Sequence, residues 1–166
     1  MKIEIRSMQA KDMAAVWQVQ CACYSDLLEP ESELSLAAKR AASPETCFVA
    51  LQQGQVCGYL IGMPWRFAEV PALNGAECQL PAQADCLYLH DMAIAPDLAG
   101  QGVGKLLFAA FRQSAVSLGF ACLSLTAVGN AMSYWQQRGF TPHVLHLSDD
   151  KIAAYGGQVT YMYQEI

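Results

Sequence analysis

Gly100-Gln101-Gly102-Val103-Gly104-Lys105 sets three glycines at alternate positions just ahead of an apolar-periodic stretch. Glycine lets the backbone approach a ligand closely, and the first N–H groups of a helix have no internal acceptor. With the helix dipole and the Lys105 ammonium, such a turn suits a phosphate. Upstream, His90 is the only histidine before His143 and can relay a proton near neutrality. Its neighbour Asp91 reads as a structural acceptor. The hydroxyls of Tyr88, Tyr134, Tyr161 and Tyr163 are further candidates for proton transfer.

Two familiar phosphate motifs do not fit the glycine turn. A P-loop needs glycine where Ala99 stands and Ser or Thr where Leu106 stands. A dinucleotide fingerprint needs a third glycine where Lys105 stands and an acid in the following strand, where residues 121–126 contain none. The seven cysteines form no CxxC pair, so neither a disulfide framework nor a metal centre is indicated. They read as reduced core residues.

The elements that must position these residues follow from periodicity. Residues 3–6 alternate as a strand, and Asp12 can cap a helix ending near Tyr24. Residues 29–42 read as a second helix stopped by Ser43-Pro44. Strands over 47–51 and 56–63 flank a hairpin turn at Gln53-Gly54, and residues 64–84 form a long loop. Residues 86–94 are a strong strand, in which alternation places Tyr88, His90 and Met92 on one face and Asp91 on the other. A helix runs from the glycine turn to Gly119, followed by a strand over 121–126 and a short helix over 130–138. Residues 140–147 and 158–163 close the chain as strands. The reading is one mixed α/β domain over residues 1–166.

Composition narrows the function. Hydrophobic residues make up 54% and charged residues 15%, against about 25% charged in an average soluble chain. That fills a core, yet no apolar run approaches the roughly 18 residues of a membrane span. The opening Met1-Lys2-Ile3-Glu4-Ile5-Arg6 lacks the apolar block of a secretory signal, so a cytoplasmic protein without membrane partners is expected. The net charge of -5 argues against nucleic-acid binding. Its distribution is uneven: residues 98–148 hold Lys105, Arg112 and Arg138 and no acid. An acid-free block in an acidic chain points to an anionic ligand.

The run Leu89-His90-Asp91-Met92-Ala93-Ile94-Ala95-Pro96 followed by Ala99-Gly100-Gln101-Gly102-Val103-Gly104 resembles the acetyl-CoA-binding motif of the GNAT superfamily of N-acetyltransferases. Gly102 and Gly104 match its glycines, while Ala99 replaces the usual Gln or Arg. Residues 129–140, Gly129-Asn130-Ala131-Met132-Ser133-Tyr134-Trp135-Gln136-Gln137-Arg138-Gly139-Phe140, resemble the second motif of that superfamily. The resemblance implies a mostly antiparallel twisted sheet of six to seven strands, flanked by about four helices and splayed between the fourth and fifth strands. It implies acetyl-CoA as co-substrate and no metal. Cofactor contacts would come from Met92, Ala93 and Ile94 along the pantetheine arm. Amides of Gln101, Gly102, Val103, Gly104 and Lys105 would hold the pyrophosphate, with Gly100 beside them; Asn130 would hydrogen-bond the cofactor, and the helix over 130–138 that carries Trp135 would flank it.

The implied reaction is direct acetyl transfer to a primary amine of a small molecule or a peptide. His90 is the expected base. Many members of the superfamily carry a tyrosine acid where Trp135 stands, and an indole cannot give that proton. Tyr134, one residue away, is the alternative if the helix register differs. The acidic stretch with Asp26, Glu29, Glu31 and Glu33, and the loop with Trp65, Phe67, Glu69 and Glu77, are expected to receive a cationic amine. Two other functions stay open: a non-catalytic acyl-CoA-binding module, and transfer of another acyl group or to a hydroxyl. A homodimer is compatible with all of these.

Overall fold

Alternating residues open the chain as strand β1 (Ile3–Ser7), and a 3-10 turn leads into α1 (Met13–Tyr24). Then follow α2 (Glu33–Ala42), β2 (Cys47–Gln52), β3 (Gln55–Trp65), β4 (Cys86–Ile94), α3 (Val103–Ser117), β5 (Cys122–Val128), α4 (Ala131–Gln136), β6 (Thr141–His143) and β7 (Val159–Glu165). The computed structural model describes residues 2–24, 30–145 and 159–166. The seven strands lie in the order β1-β2-β3-β4-β5-β7-β6. Only β4 and β5 pair in parallel; all other neighbours are antiparallel. Among the described residues, no helix is long and apolar enough to cross a membrane.

Local chemistry accounts for most boundaries. Gln53 and Gly54 both take positive φ (52° and 76°), as a two-residue hairpin turn requires. Helix α2 starts at Glu33, later than expected, because Ser32 caps it: its Oγ accepts from the Ser35 amide at 3.1 Å. Glu29, the expected start, lies outside the described residues, as do residues 146–147 of the expected strand over 140–147. Its described part, β6, carries Pro142 at the sheet edge, where a missing N–H breaks no inner ladder.

The sheet separates two apolar layers. Leu107 and Phe111 of α3 and Trp135 of α4 pack on Leu60, Leu87, Leu89, Leu123 and Leu125. Val16 and Val19 of α1 and Leu36 of α2 pack on Val49, Tyr59, Ile61 and Tyr88. Both layers exclude water from the sheet centre, and burial at this scale dominates folding free energy.

Two features of β4 decide what the fold can do. First, its pairing with β5 is confined to Leu87–Leu89 against Leu123–Leu125, so the strands part beyond Leu89. The expected splay between the fourth and fifth strands is present. Second, Ile61 pairs with Asp91 while Gly62 pairs with Leu89, which leaves His90 as the extra residue of a β-bulge. The bulge corrects the expected alternation. Leu87 and Leu89 join the α3 layer, and so do Met92 and Ile94. His90 and Asp91, though consecutive, both reach groups of the α1–α2 layer, at Glu31 and Tyr59 respectively.

The edge strand is tied to α1 by a charged clamp. Arg6 donates to both carboxylate oxygens of Asp12, at 2.7 and 2.9 Å, and the Gln9 amide donates to the same carboxylate at 2.7 Å. The bonds from Arg6 outweigh burial and hold the Asp12 carboxyl below its ordinary value. A depressed carboxyl stabilises the fold above the unfolded-state value, and that contribution is lost as pH falls through the folded one. Asp12→Asn should therefore cost about 1.5–3 kcal/mol at neutral pH, and the difference from the parent protein should vanish in acid. Urea unfolding at several pH values measures both; an acid-independent difference refutes the clamp.

Candidate active site

The glycine turn meets the splay at one place. Gly102 caps α3 with φ 85°, and the first intrahelical bond runs from the Leu106 amide to the Gly102 carbonyl at 3.3 Å. The amides of Val103, Gly104 and Lys105 therefore leave the helix end without an intrahelical acceptor. A methyl group on Gly104 would sit 3.1 Å from Tyr134 Oη and 3.6 Å from the side-chain tips of Ile94 and Met92. Helix α3, the end of β4 and α4 converge there. Lys105 is exposed beside the turn, and the exposed Gln101 donates to the Asp97 carbonyl at 3.4 Å.

The edge of β4 supplies hydrogen-bonding groups to the same opening. The Ala95 amide donates to the Cys57 carbonyl at 2.8 Å, which fixes the phase of the β3–β4 ladder. Ala93 thus spends its backbone groups on β3, while those of Met92 and Ile94 point toward the splay. Two of the latter are engaged by α1: Tyr24 Oη donates to the Met92 carbonyl at 2.9 Å, and Cys23 Sγ donates to the Ile94 carbonyl at 3.0 Å. Burial, and then the Asp91 carboxylate, push the Cys23 thiol up, so it serves as a donor and not as a thiolate. Neither Cys23 nor Tyr24 is marked by any motif in the sequence.

Helix α4 sets its two aromatics edge to face, with ring centroids 4.9 Å apart, but in different surroundings. Trp135 is 8% exposed and packs between Phe108 and Phe140, with ring centroids at 6.1 and 5.6 Å. Tyr134 turns toward the glycine turn, and the Arg138 guanidinium lies 3.6 Å above its ring. The hydroxyl at the splay is therefore that of Tyr134, and Trp135 is a core residue. Asn130 precedes α4, exposed and without a capping bond from its side chain.

On the opposite layer, the acidic residues divide. Asp26 and Glu29 lie outside the described residues, whereas Glu33 and Glu77 are exposed and Glu69 makes an exposed pair with Arg66 at 4.0 Å. Glu31 instead is buried. Its carboxylate accepts from Lys39 Nζ and Ser35 Oγ through one oxygen and contacts His90 Nε2 at 2.8 Å through the other. Burial alone would raise this carboxyl, but the bond with His90 and the ammonium of Lys39 outweigh it and hold it below its ordinary value. Asp91, which accepts from Tyr59 Oη, is pushed up by burial. The spacing Ser35 to Lys39, four apart, was the available signal for a shared helical face just after Glu31. Trp65 and Phe67 sit on the same side, Phe67 against His143, Tyr161 and Tyr163. A separate cavity of about 430 Å³, lined by Asp85, Cys86, Cys122 and Glu165 among others, lies at the far ends of β4 and β5. It takes in Phe67 and Tyr163 but neither His90, Tyr134 nor any of the expected cofactor contacts. Among the described residues, no group of His, Cys, Asp or Glu has the form of a metal centre.

With this geometry, comparison with known proteins is specific. The model of the acetyltransferase (GNAT) family matches residues 13–140. Ard1 from Thermoplasma volcanium aligns with a TM-score of 0.75 at 16% identity, over 100% of this chain and 99% of that one. The ribosomal-protein-S18-alanine N-acetyltransferase from Escherichia coli aligns at 0.71 and 19%, over 99% of this chain and 94% of that one. The PaiA N-acetyltransferase from Thermoplasma acidophilum, solved in complex with coenzyme A, aligns at 0.67 and 14%, over 100% of both chains. No protein of curated function matches.

The different surroundings of the two α4 aromatics have a measurable consequence. Trp135→Ala should cost about 3–5 kcal/mol through the cavity it leaves, whereas Tyr134→Phe should change stability by less than about 1 kcal/mol. Denaturant unfolding of both variants checks this. Equal losses would contradict the assignment of the two side chains.

Proposed function

Because the chain belongs to the GNAT family of acetyltransferases, we propose that it acetylates a primary amine, of a small molecule or a peptide, with acetyl-CoA as donor and by direct transfer in a ternary complex. The observation that carries this reading is the opening of the sheet beyond Leu89 beside the amide-rich start of α3. The donor groups there suit a phosphate-bearing thioester. Amides of residues 101–105, with Lys105, would hold the pyrophosphate, and the backbone edges of Met92 and Ile94 would meet the pantetheine arm. Exposed Asn130 is available to the same ligand. Trp135 supports the site from the core. Bound there, acetyl-CoA supplies the acyl group and a thiol leaving group.

The chain's own residues handle the protons. His90 lies at the first β4 position past the parallel pairing and accepts the proton that the amine must lose. Tyr134 Oη, on the other layer, holds the proton to be given back on the cofactor side. Neutral Cys23 offers no thiolate for a covalent acetyl-enzyme, which favours direct transfer. The net charge of -5 favours a cationic amine over a nucleic acid.

Three measurements test this. Acetyl-CoA and CoA should raise Tm with ligand concentration, as mass action requires, and NAD should not. Incubation with acetyl-CoA and a panel comprising an arylalkylamine, a polyamine and a peptide with a free N-terminus should yield a product heavier by one acetyl group. His90→Ala should lower kcat about 100-fold or more while leaving acetyl-CoA affinity within about twofold. Stabilisation by NAD alone, or CoA-thiol release that never accompanies an acetylated amine, overturns the proposal.

A further inference from the structure

Resting on the reading of His90 as base, we infer that Glu31 is a positioning residue that sets the His90 tautomer, so that Nδ1 and not Nε2 is the nitrogen that takes the amine's proton. The geometry carries this in three steps. Glu31 is held ionised between His90, Lys39 and Ser35, and an ionised carboxylate can only accept. His90 Nε2, at 2.8 Å from Glu31 Oε1, must therefore carry a hydrogen. The remaining lone pair of the neutral ring falls to Nδ1. That atom is buried and has no hydrogen-bond partner, in a side chain only 1% exposed. An unpartnered buried nitrogen is costly unless a ligand or a water bound with it completes its bonding.

Glu31 is itself fixed in place. The Gln20 side chain donates to the Glu31 carbonyl at 2.8 Å and accepts from the Glu31 amide at 3.2 Å. Lys39 Nζ also reaches Ser35 Oγ at 2.9 Å and the Leu73 carbonyl at 3.1 Å. The carboxylate thus cannot follow a rotating imidazole, and the ring is locked instead. In the transfer, a proton leaves the ammonium for Nδ1, directly or through one water, and the imidazolium formed is stabilised by the Glu31 carboxylate across Nε2. This is the orienting role that a buried carboxylate plays for histidine in general.

The test uses the full chain labelled with ¹⁵N-histidine, with His90→Ala to assign the His90 ring resonances. The parent protein should show His90 as a single Nε2–H tautomer at neutral pH, a readout independent of turnover. Glu31→Gln should mix the tautomers. With the best amine of the panel above, it should lower kcat by about 10–100-fold while the KM values for amine and acetyl-CoA stay within about twofold. Lys39→Met, which removes one of the groups that fix Glu31 but not its bond to His90, should lower Tm and reduce kcat less than Glu31→Gln does, in step with any mixing of the tautomers. An Nδ1–H tautomer in the parent protein overturns the inference. So does parent-like kcat in Glu31→Gln when His90→Ala is inactive, or a loss in Lys39→Met matching that in Glu31→Gln with the tautomer intact. Parent-like turnover in His90→Ala instead overturns the underlying assignment of the base.

Discussion

Everything at the site depends on one extra residue in a central strand. β4 must pair with β3 along its length, yet release β5 after Leu89. The bulge at His90 reconciles these demands, because it turns the strand by one side-chain position while the β3 ladder continues. Its consequence is chemical as well as geometric. Without it, His90 and Asp91 would face opposite layers; with it, both enter the α1–α2 layer, and Met92 and Ile94 are turned to the α3 layer. One strand thereby presents acid–base groups to one layer and apolar side chains to the other. The edge backbone of Met92 and Ile94 lies between them.

The buried network of Glu31 has to be explained as more than adhesion. Removing two or three charged groups from water costs several kcal/mol per ion, and their mutual attraction commonly no more than offsets it. Such a network is weak evidence for stability. Its value lies in direction: the network of Glu31 joins separate parts of the chain. His90 is in β4, Lys39 and Ser35 are in α2, and Lys39 also bonds the Leu73 carbonyl in the long loop after β3. The Gly75 amide donates to Ser35 Oγ, and Asn74 Oδ1 accepts from Ser32. A misplaced element would strand a buried charge, a penalty larger than the loss of an apolar contact. The network therefore specifies one arrangement of helix, strand and loop around the imidazole.

How much of this was legible in the sequence differs by the kind of interaction. Strands and helices with a clear period, such as β4 and α3, were found at nearly their observed limits, because a repeat of two or 3.6 residues is local. The splay and the glycine turn followed from motifs. The bulge did not, since it depends on pairing with β3, and nothing in Leu89-His90-Asp91 marks an extra residue. The surroundings of Tyr134 and Trp135 were not legible for a similar reason: motif alignment counts residues, whereas burial is settled by which aromatic fits against Phe108 and Phe140. Glu31 was expected, with Asp26, Glu29 and Glu33, to receive a cationic amine. The four-residue spacing of Ser35 and Lys39 was visible, but only the approach of β4 makes that face an interior one.

The two proton-handling groups proposed here stand on opposite layers of the sheet, and this separation constrains the reaction. His90 is reached from the α1–α2 layer and Tyr134 from the α3–α4 layer, while the gap beyond Leu89 is the only interruption in the β4–β5 ladder that separates them. A donor bound along the glycine turn enters from the Tyr134 side. An amine that gives its proton to His90 enters from the other. Each reactant then meets a layer whose charge suits it: an acid-free block carrying Lys105 for the phosphates, and an acid-rich first half for the amine. Since neither must leave before the other arrives, direct transfer needs no covalent relay. The low dielectric between the layers strengthens the Glu31–His90 interaction at the point where the imidazolium would form.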